Sequence, residues 1–252
     1  MHILARLVAR IHTMLQGRIR SYSTVRKSLE GKAGLEIGGP SAVFKRWYGP
    51  LPVYSAVNSL DNCVFSDKTV WAALPSEYIF NSRKNPGKTI ICDGSDLSAI
   101  PDGCYDFILS SHNLEHFANP VKALKEWERV VRPGGVLVLV LPYYVNTFDH
   151  RRSPTEVSHM LEDFKQNTQE DDLTHLPEIL QLHDLDMDSP AGSIENFRNR
   201  SLNNFENRCL YHHVFDEHNS RELLESIGMN VLSVELAPPI DLFLFARFRS
   251  ET

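Results

Sequence analysis

The sequence of 252 residues predicts an α/β fold, with a mostly parallel sheet covered by helices on both faces. Two observations carry that expectation. Short apolar runs such as Thr89-Ile90-Ile91-Cys92, and the fully apolar Val136 to Leu141, suit strands of a parallel sheet covered on both sides, and helical patterns alternate with them. The stretch Gly34 to Ser41, reading GLEIGGPS, is an apolar strand running into two glycines and a proline, which suits a sharp turn beneath a nucleotide-like ligand.

Composition sets the outer limits. Hydrophobic content of 42% and charged content of 23% are those of a soluble globular chain, and no apolar run approaches the roughly 18 residues of a membrane helix. A net charge of -6 argues against general nucleic-acid binding. The charge is uneven, since residues 1–29 carry +6 with no acid. Cys63, Cys92, Cys104 and Cys209 show no CxxC pairing, which favours free thiols in a reducing, cytoplasmic setting.

Along the chain, Ile3, Leu4, Leu7, Val8, Ile11, Leu15 and Ile19 fall at helical spacing with arginines between them, so an amphipathic helix is expected within residues 1–32. Packing on the protein's own core accounts for it better than a transit peptide or a membrane-surface helix. The glycine-ended strand follows, then a short helix over Ser41 to Tyr48. Leu51 to Leu60 reads as a second strand ending at Asp61-Asn62, where an acid could accept two ribose hydroxyls or could cap a turn. Residues 63–87 are polar and irregular, with Trp71 as their large anchor.

Thr89 to Cys92 is the third strand and Tyr105 to Leu109 the fourth, ending respectively in Asp93-Gly94 and in Ser110 to Asn113. Asn119-Pro120 starts a helix as N-cap and first turn, and Ala123, Leu124, Trp127, Val130 and Val131 form its buried face. Arg132-Pro133-Gly134-Gly135 stops it, and Val136 to Leu141 is the fifth strand. From Pro142 the strand rhythm lapses into helical patterns near 154–167, 174–182 and 193–207, with eleven acids between Asp149 and Asp188. A helix over Asp216 to Ile227 and two strands, Val231 to Leu236 and Asp241 to Phe248, close the chain around Pro238-Pro239.

The run DGCYDFILSSHNLEHFANPVKALKEWERVVRPGGVLVLVLP, residues 102–142, resembles the second half of a class I S-adenosylmethionine-dependent methyltransferase of the type 11 group. GLEIGGPS and ICDGSDL extend the resemblance back to about residue 33, and HHVFDEHNSRELLESIGMNVLSVEL carries it towards the end. The resemblance implies a Rossmann-like seven-stranded sheet with the last strand antiparallel, and S-adenosylmethionine as cofactor at the carboxyl ends of the first strands. It divides the chain into an N-terminal helix (1–32), a cofactor-binding half (33–142), a helical acceptor-side insertion or lid (143–209) and a closing part of the core (210–252). Carried over, Glu36 matches the acid of the first motif, Gly38 and Gly39 its glycine turn, Asp61 the ribose acid, Asp93 and Gly94 the adenine-flanking motif, and Ser111 and His112 the loop under the methionine part. Pro40 and Ala42 stand where the family has further glycines, and proline has no amide hydrogen to donate.

Methyl transfer from a sulfonium asks the protein to align a nucleophile and, for a hydroxyl, to take its proton. His112 and His150 are the candidate bases, because histidine titrates near neutrality. His116 reads as structural. Asp149, His150, Arg151 and Arg152 follow the fifth strand and are the candidate acceptor-binding residues. The expected reaction is O-methylation of a small molecule or glycan, with N-methylation of a small amine and a non-catalytic cofactor-binding scaffold as alternatives. A nicotinamide-dependent oxidoreductase would need a GxGxxG turn, which is absent. Asp149, His150, His175, His183, His212 and His213 offer ligands for a divalent ion, but their spacing matches no metal motif, so a catalytic metal is not favoured. A homo-oligomer is left open.

Overall fold

Strand β1 (Ala33–Ile37) lies near the middle of the sheet, buried along nearly its whole length between two parallel neighbours. The computed structural model describes residues 17–45, 47–66 and 77–250. Most of the amphipathic run within residues 1–32, and Trp71, lie outside them. A helix that the sequence did not single out, α1 (Tyr22–Leu29), presses Val25 and Leu29 into the core. The next elements are a one-turn helix α2 (Ala42–Lys45), β2 (Ser59–Val64), a two-residue strand β3 (Glu77–Tyr78), β4 (Gly87–Ile91) and β5 (Tyr105–Ser111). Helix α3 (Pro120–Val130) runs directly into the long strand β6 (Val131–Pro142). Helices α4 (Val157–Gln166), α5 (Leu176–Leu182), α6 (Ile194–Leu202) and α7 (Asn204–Asn207) come next, then α8 (Glu217–Ser226), β7 (Asn230–Ala237) and β8 (Asp241–Arg247).

The sheet order is β3-β4-β2-β1-β5-β6-β8-β7. The β4-β2-β1-β5-β6 pairings are parallel, and β8 runs antiparallel to both β6 and β7. These are the expected seven strands with the last one reversed. The eighth, β3, adds an antiparallel edge to β4.

Strand β6 explains why its sequence shows no alternation. Leu137, Leu139 and Leu141 pack into one core with Trp127 and Leu124 of α3, while Val136, Val138 and Val140 pack into a second with Phe107, Leu109 and Leu29. With both faces covered, every residue must be apolar. Asn119 caps α3 by accepting from the Lys122 amide at 2.9 Å, with Pro120 in its first turn.

The second strand departs from expectation. It spans Ser59–Val64, not Leu51 to Leu60. Leu51, Val53, Tyr54 and Val57 are apolar because they plug the second core against Phe44, in irregular chain that Pro52 keeps out of a ladder. The true strand looks polar because Asp61 and Asn62 hydrogen-bond within the fold. Between β6 and α8, Leu176, Ile179, Ala191, Phe197 and Leu210 form a third, smaller core. Among the described residues no helix is long and apolar enough to cross a membrane.

Candidate active site

A cavity of about 650 Å³ opens at the carboxyl ends of β1, β2, β4 and β5, where an open parallel sheet receives its ligands. Its floor is the glycine turn. Gly38 takes φ +78°, and a Cβ there would stand 2.5 Å from the Asn113 side chain, so the turn requires glycine. Its amides are already engaged. Gly38 N donates to the Cys63 carbonyl at 2.9 Å, Gly39 N to Asn62 Oδ1 at 2.9 Å, and Ser41 N to Glu36 Oε1 at 3.0 Å. Asn62 Nδ2 returns a bond to the Gly39 carbonyl at 3.0 Å. These three amides of the turn are therefore not free to serve a ligand.

Glu36 acts beneath this turn. It is completely buried, and its carboxylate accepts from Ser41 N, Ser41 Oγ at 2.6 Å, Tyr54 OH at 2.6 Å and Tyr78 OH. Burial pushes its pKa up, and the bonds from Ser41, Tyr54 and Tyr78 oppose the rise. Glu36 thus shapes the turn from below the cavity wall.

Asp93 and Gly94 line the cavity at the end of β4. Asp93 Oδ1 accepts from Ser95 N and Ser95 Oγ, and Oδ2 accepts from Arg208 at 2.9 Å. Arg208 also reaches Glu170 at 3.1 Å, so one guanidinium ties a strand end to the segment between β6 and α8. Burial, with the nearby Asp93 charge, pushes Glu170 up to about 7.

His112 follows β5 and lines the cavity with φ 51°. Its Nε2 lies 2.9 Å from Asp241 Oδ1, at the start of β8. An ionised carboxylate only accepts, so Nε2 carries the hydrogen and Nδ1 is left as the basic nitrogen. Burial alone would depress the imidazole pKa; the Asp241 bond and the charges of Glu115 and Asp241 outweigh it, and the pKa is raised. Three described non-glycine residues take left-handed backbone, and two of them, His112 and Arg208, line this cavity. Such strain is held where surrounding contacts enforce it.

Several expected site residues lie elsewhere. Asp61 sits in the body of β2, accepting from Lys88 N at 2.8 Å and Tyr105 OH at 2.9 Å, so it braces the sheet and does not reach the cavity. Ser111 pairs in the sheet opposite Val140 and does not line the cavity, whereas Asn113 does. Asp149 and Arg152 are buried together at 3.3 Å, and Arg152 donates to the carbonyls of Tyr211 at 2.9 Å and His212 at 3.0 Å. His150 bonds the Thr147 carbonyl, and Arg151 pairs with Asp184 at 2.7 Å. None of these four lines the cavity. From that stretch Phe148 does, its ring 4.8 Å from that of Tyr211. His116 also lines the cavity, bonded to the Leu210 carbonyl and pushed down to about 4 by burial.

Sequence reasoning missed Asn62, Phe148, Arg208, Tyr211 and Asp241. Only Asp241 carried a signal, as an acid opening an otherwise apolar strand. Of the six possible metal ligands, the structure brings together His175 and His213, with His159 as the third member.

This geometry fits S-adenosylmethionine: a cofactor-sized cavity at the strand ends, a glycine turn that admits close approach and a strand-end acid. Comparison with known proteins agrees at the level of fold. Residues 65–139 match the family model described as a methyltransferase domain. Over 60 residues the chain is 37% identical to the Aspergillus luteorubrus protein named "Probable methyltransferase ltbC", a match covering 22% of this chain and 21% of that protein. The match thus spans about a fifth of that relative's length. Among solved structures, a SAM-dependent methyltransferase from Methanosarcina mazei aligns over 91% of this chain and 99% of its own, with TM-score 0.51 and 17% identity. One from Aquifex aeolicus aligns over 95% and 93%, with TM-score 0.52 and 12% identity. The fold is that of the class I S-adenosylmethionine-dependent methyltransferases.

Proposed function

We propose that this protein is an S-adenosylmethionine-dependent methyltransferase that methylates a hydroxyl of a small molecule or glycan. The observation that carries the reading is the His112–Asp241 pair on the wall of a cavity floored by a glycine turn. Bound there, S-adenosylmethionine supplies an electrophilic methyl on a sulfonium. The chain's own task is to hold the acceptor in line and take its proton. His112 Nδ1 accepts that proton, and Asp241 fixes the tautomer and favours the imidazolium that forms. Phe148 and Tyr211 give an aromatic wall on the side contributed by the segment between β6 and α8, suited to the face of a sugar or a ring. That segment acts as a lid, tied down by Arg208 across Asp93 and Glu170.

A cavity of about 650 Å³ suits a small acceptor better than a nucleic acid, in keeping with the net charge of -6. The four cysteines are free, which fits a cytoplasmic setting. Calorimetry with S-adenosylhomocysteine tests the reading first: saturable binding is expected, weakened at least tenfold in Arg208→Ala. Absence of binding at millimolar ligand overturns it. Transfer of labelled methyl to hydroxylated acceptor panels, and not to amines, then tests the acceptor class.

A further inference from the structure

Away from the cavity, three histidines converge from separate parts of the chain. His159 lies in the first turn of α4, His175 just before α5 and His213 in the stretch before α8. One ligand atom from each lies within 4.8 Å of those of the other two. Asp163, one turn after His159 on the same face of α4, places Oδ2 3.5 Å from His159 Nε2 and 3.7 Å from His213 Nε2.

We propose that His159, His175 and His213, with Asp163, form a binding site for a zinc-like divalent cation that joins α4 and α5 to the closing part of the core. The separations fit this purpose. Four ligands about 2.0–2.1 Å from a tetrahedral ion stand roughly 3.3 Å apart, and His159 Nε2 and His175 Nε2 are 3.0 Å apart. Nitrogen-rich donors with a single carboxylate suit zinc above calcium or magnesium.

The polar bookkeeping points the same way. Asp163 Oδ1 accepts from Thr168, but Oδ2 is buried with no hydrogen-bond partner. His213 is fully buried, and the nitrogen that it turns towards Asp163, Nε2, also lies 3.3 Å from the Ala118 carbonyl. Asp163 Oδ2 thus faces two imidazole nitrogens at 3.5 and 3.7 Å without a hydrogen bond to either, and a cation between them would complete the group. His159, at 43% side-chain exposure, leaves an entry path from solvent. None of the four residues lines the cofactor cavity, so the ion's role is structural, and the inference does not depend on the methyl-transfer reading.

The test uses the full-length protein, stripped with a chelator, reloaded with Zn²⁺ and desalted. About one equivalent of zinc is expected by elemental analysis, with a rise in Tm on loading. Co²⁺ in its place should give the visible absorption of a four-coordinate nitrogen-rich site. His159→Gln and Asp163→Asn should retain the wild-type fold by circular dichroism yet lose the bound equivalent and the Tm rise, while His218→Gln keeps both. A folded wild-type protein that retains no zinc and gives no cobalt spectrum overturns the proposal, and so does undiminished zinc binding in a folded His159→Gln, Asp163→Asn double variant.

Discussion

At the scale of single residues, the proposed chemistry turns on the protonation of His112. Its pKa is raised because the Asp241 bond, with the Glu115 and Asp241 charges, outweighs the burial that would lower it. A general base must be neutral, so the acid limb of kcat/KM is expected above the usual histidine value of about 6.5, with activity falling tenfold per pH unit below the limb. In Asp241→Asn the supporting carboxylate is gone and burial remains, so the limb should move to lower pH. His112→Ala should lose roughly 10²–10⁴ in kcat. A pH–rate profile of the three proteins on one hydroxylated acceptor checks this, and an unmoved limb in Asp241→Asn removes Asp241 from the mechanism. Residue by residue, the part of the site that was readable is the part local in sequence: Gly38, Asp93, Gly94 and His112 each end a strand and line the cavity. Asp241 lies 129 positions from His112, and only the antiparallel pairing of β8 with β6 brings them together. Arg208 and Tyr211 lie in an irregular stretch between helices, with no periodicity to say which way a side chain faces.

At the scale of elements, capping and apolar periodicity were legible wherever they agreed. Helix α8 is the clearest case. Asp216 accepts from the amides of His218 and Asn219 at 2.9 and 2.8 Å, and Asn219 Oδ1 accepts in return from Asp216 N at 2.9 Å. Asp216→Ala should cost about 1 kcal/mol, seen as a drop of roughly 2–4 °C in Tm. Asn219→Ala should cost more, because Asn219 Nδ2 also serves the Thr155 and Val214 carbonyls at 2.9 Å each. Equal melting curves for the two variants would show that those carbonyl bonds add nothing. The second strand was misplaced for the converse reason. Leu51 to Val57 has strand-like composition without a ladder, and Ser59–Val64 has a ladder without strand-like composition, since Asp61 bonds inside the sheet and Asn62 bonds the glycine turn. Composition reports burial, and burial is not specific to strands.

At the scale of the whole molecule, the question is how the segment between β6 and α8 is held over the sheet. Its own core is small, so its position depends on a few polar ties. Arg152 is the deepest of them, its side chain 1% exposed, pairing with Asp149 and donating to the Tyr211 and His212 carbonyls. Burial pushes the Asp149 pKa up, and the Arg152 charge opposes that rise, so removing the arginine strands a carboxylate in the interior and leaves two carbonyls without donors. Arg152→Met should therefore destabilise the tied region by about 3–5 kcal/mol. The sheet does not share that tie: β1, β5 and β6 are held by their own ladders and by the two large cores. Hydrogen exchange should accordingly rise through residues 143–209 while amides of β1, β5 and β6 keep their protection, and S-adenosylhomocysteine affinity should fall because Phe148, Arg208 and Tyr211 leave the cavity wall. Removing the stranded charge in Arg152→Met, Asp149→Leu should restore much of the protection, since a buried pair replaced by apolar groups loses little where a broken pair loses much. If Arg152→Met instead exposes the sheet and the segment together, the segment and the sheet unfold as one unit, and the proposed closure over the cofactor is not a local motion.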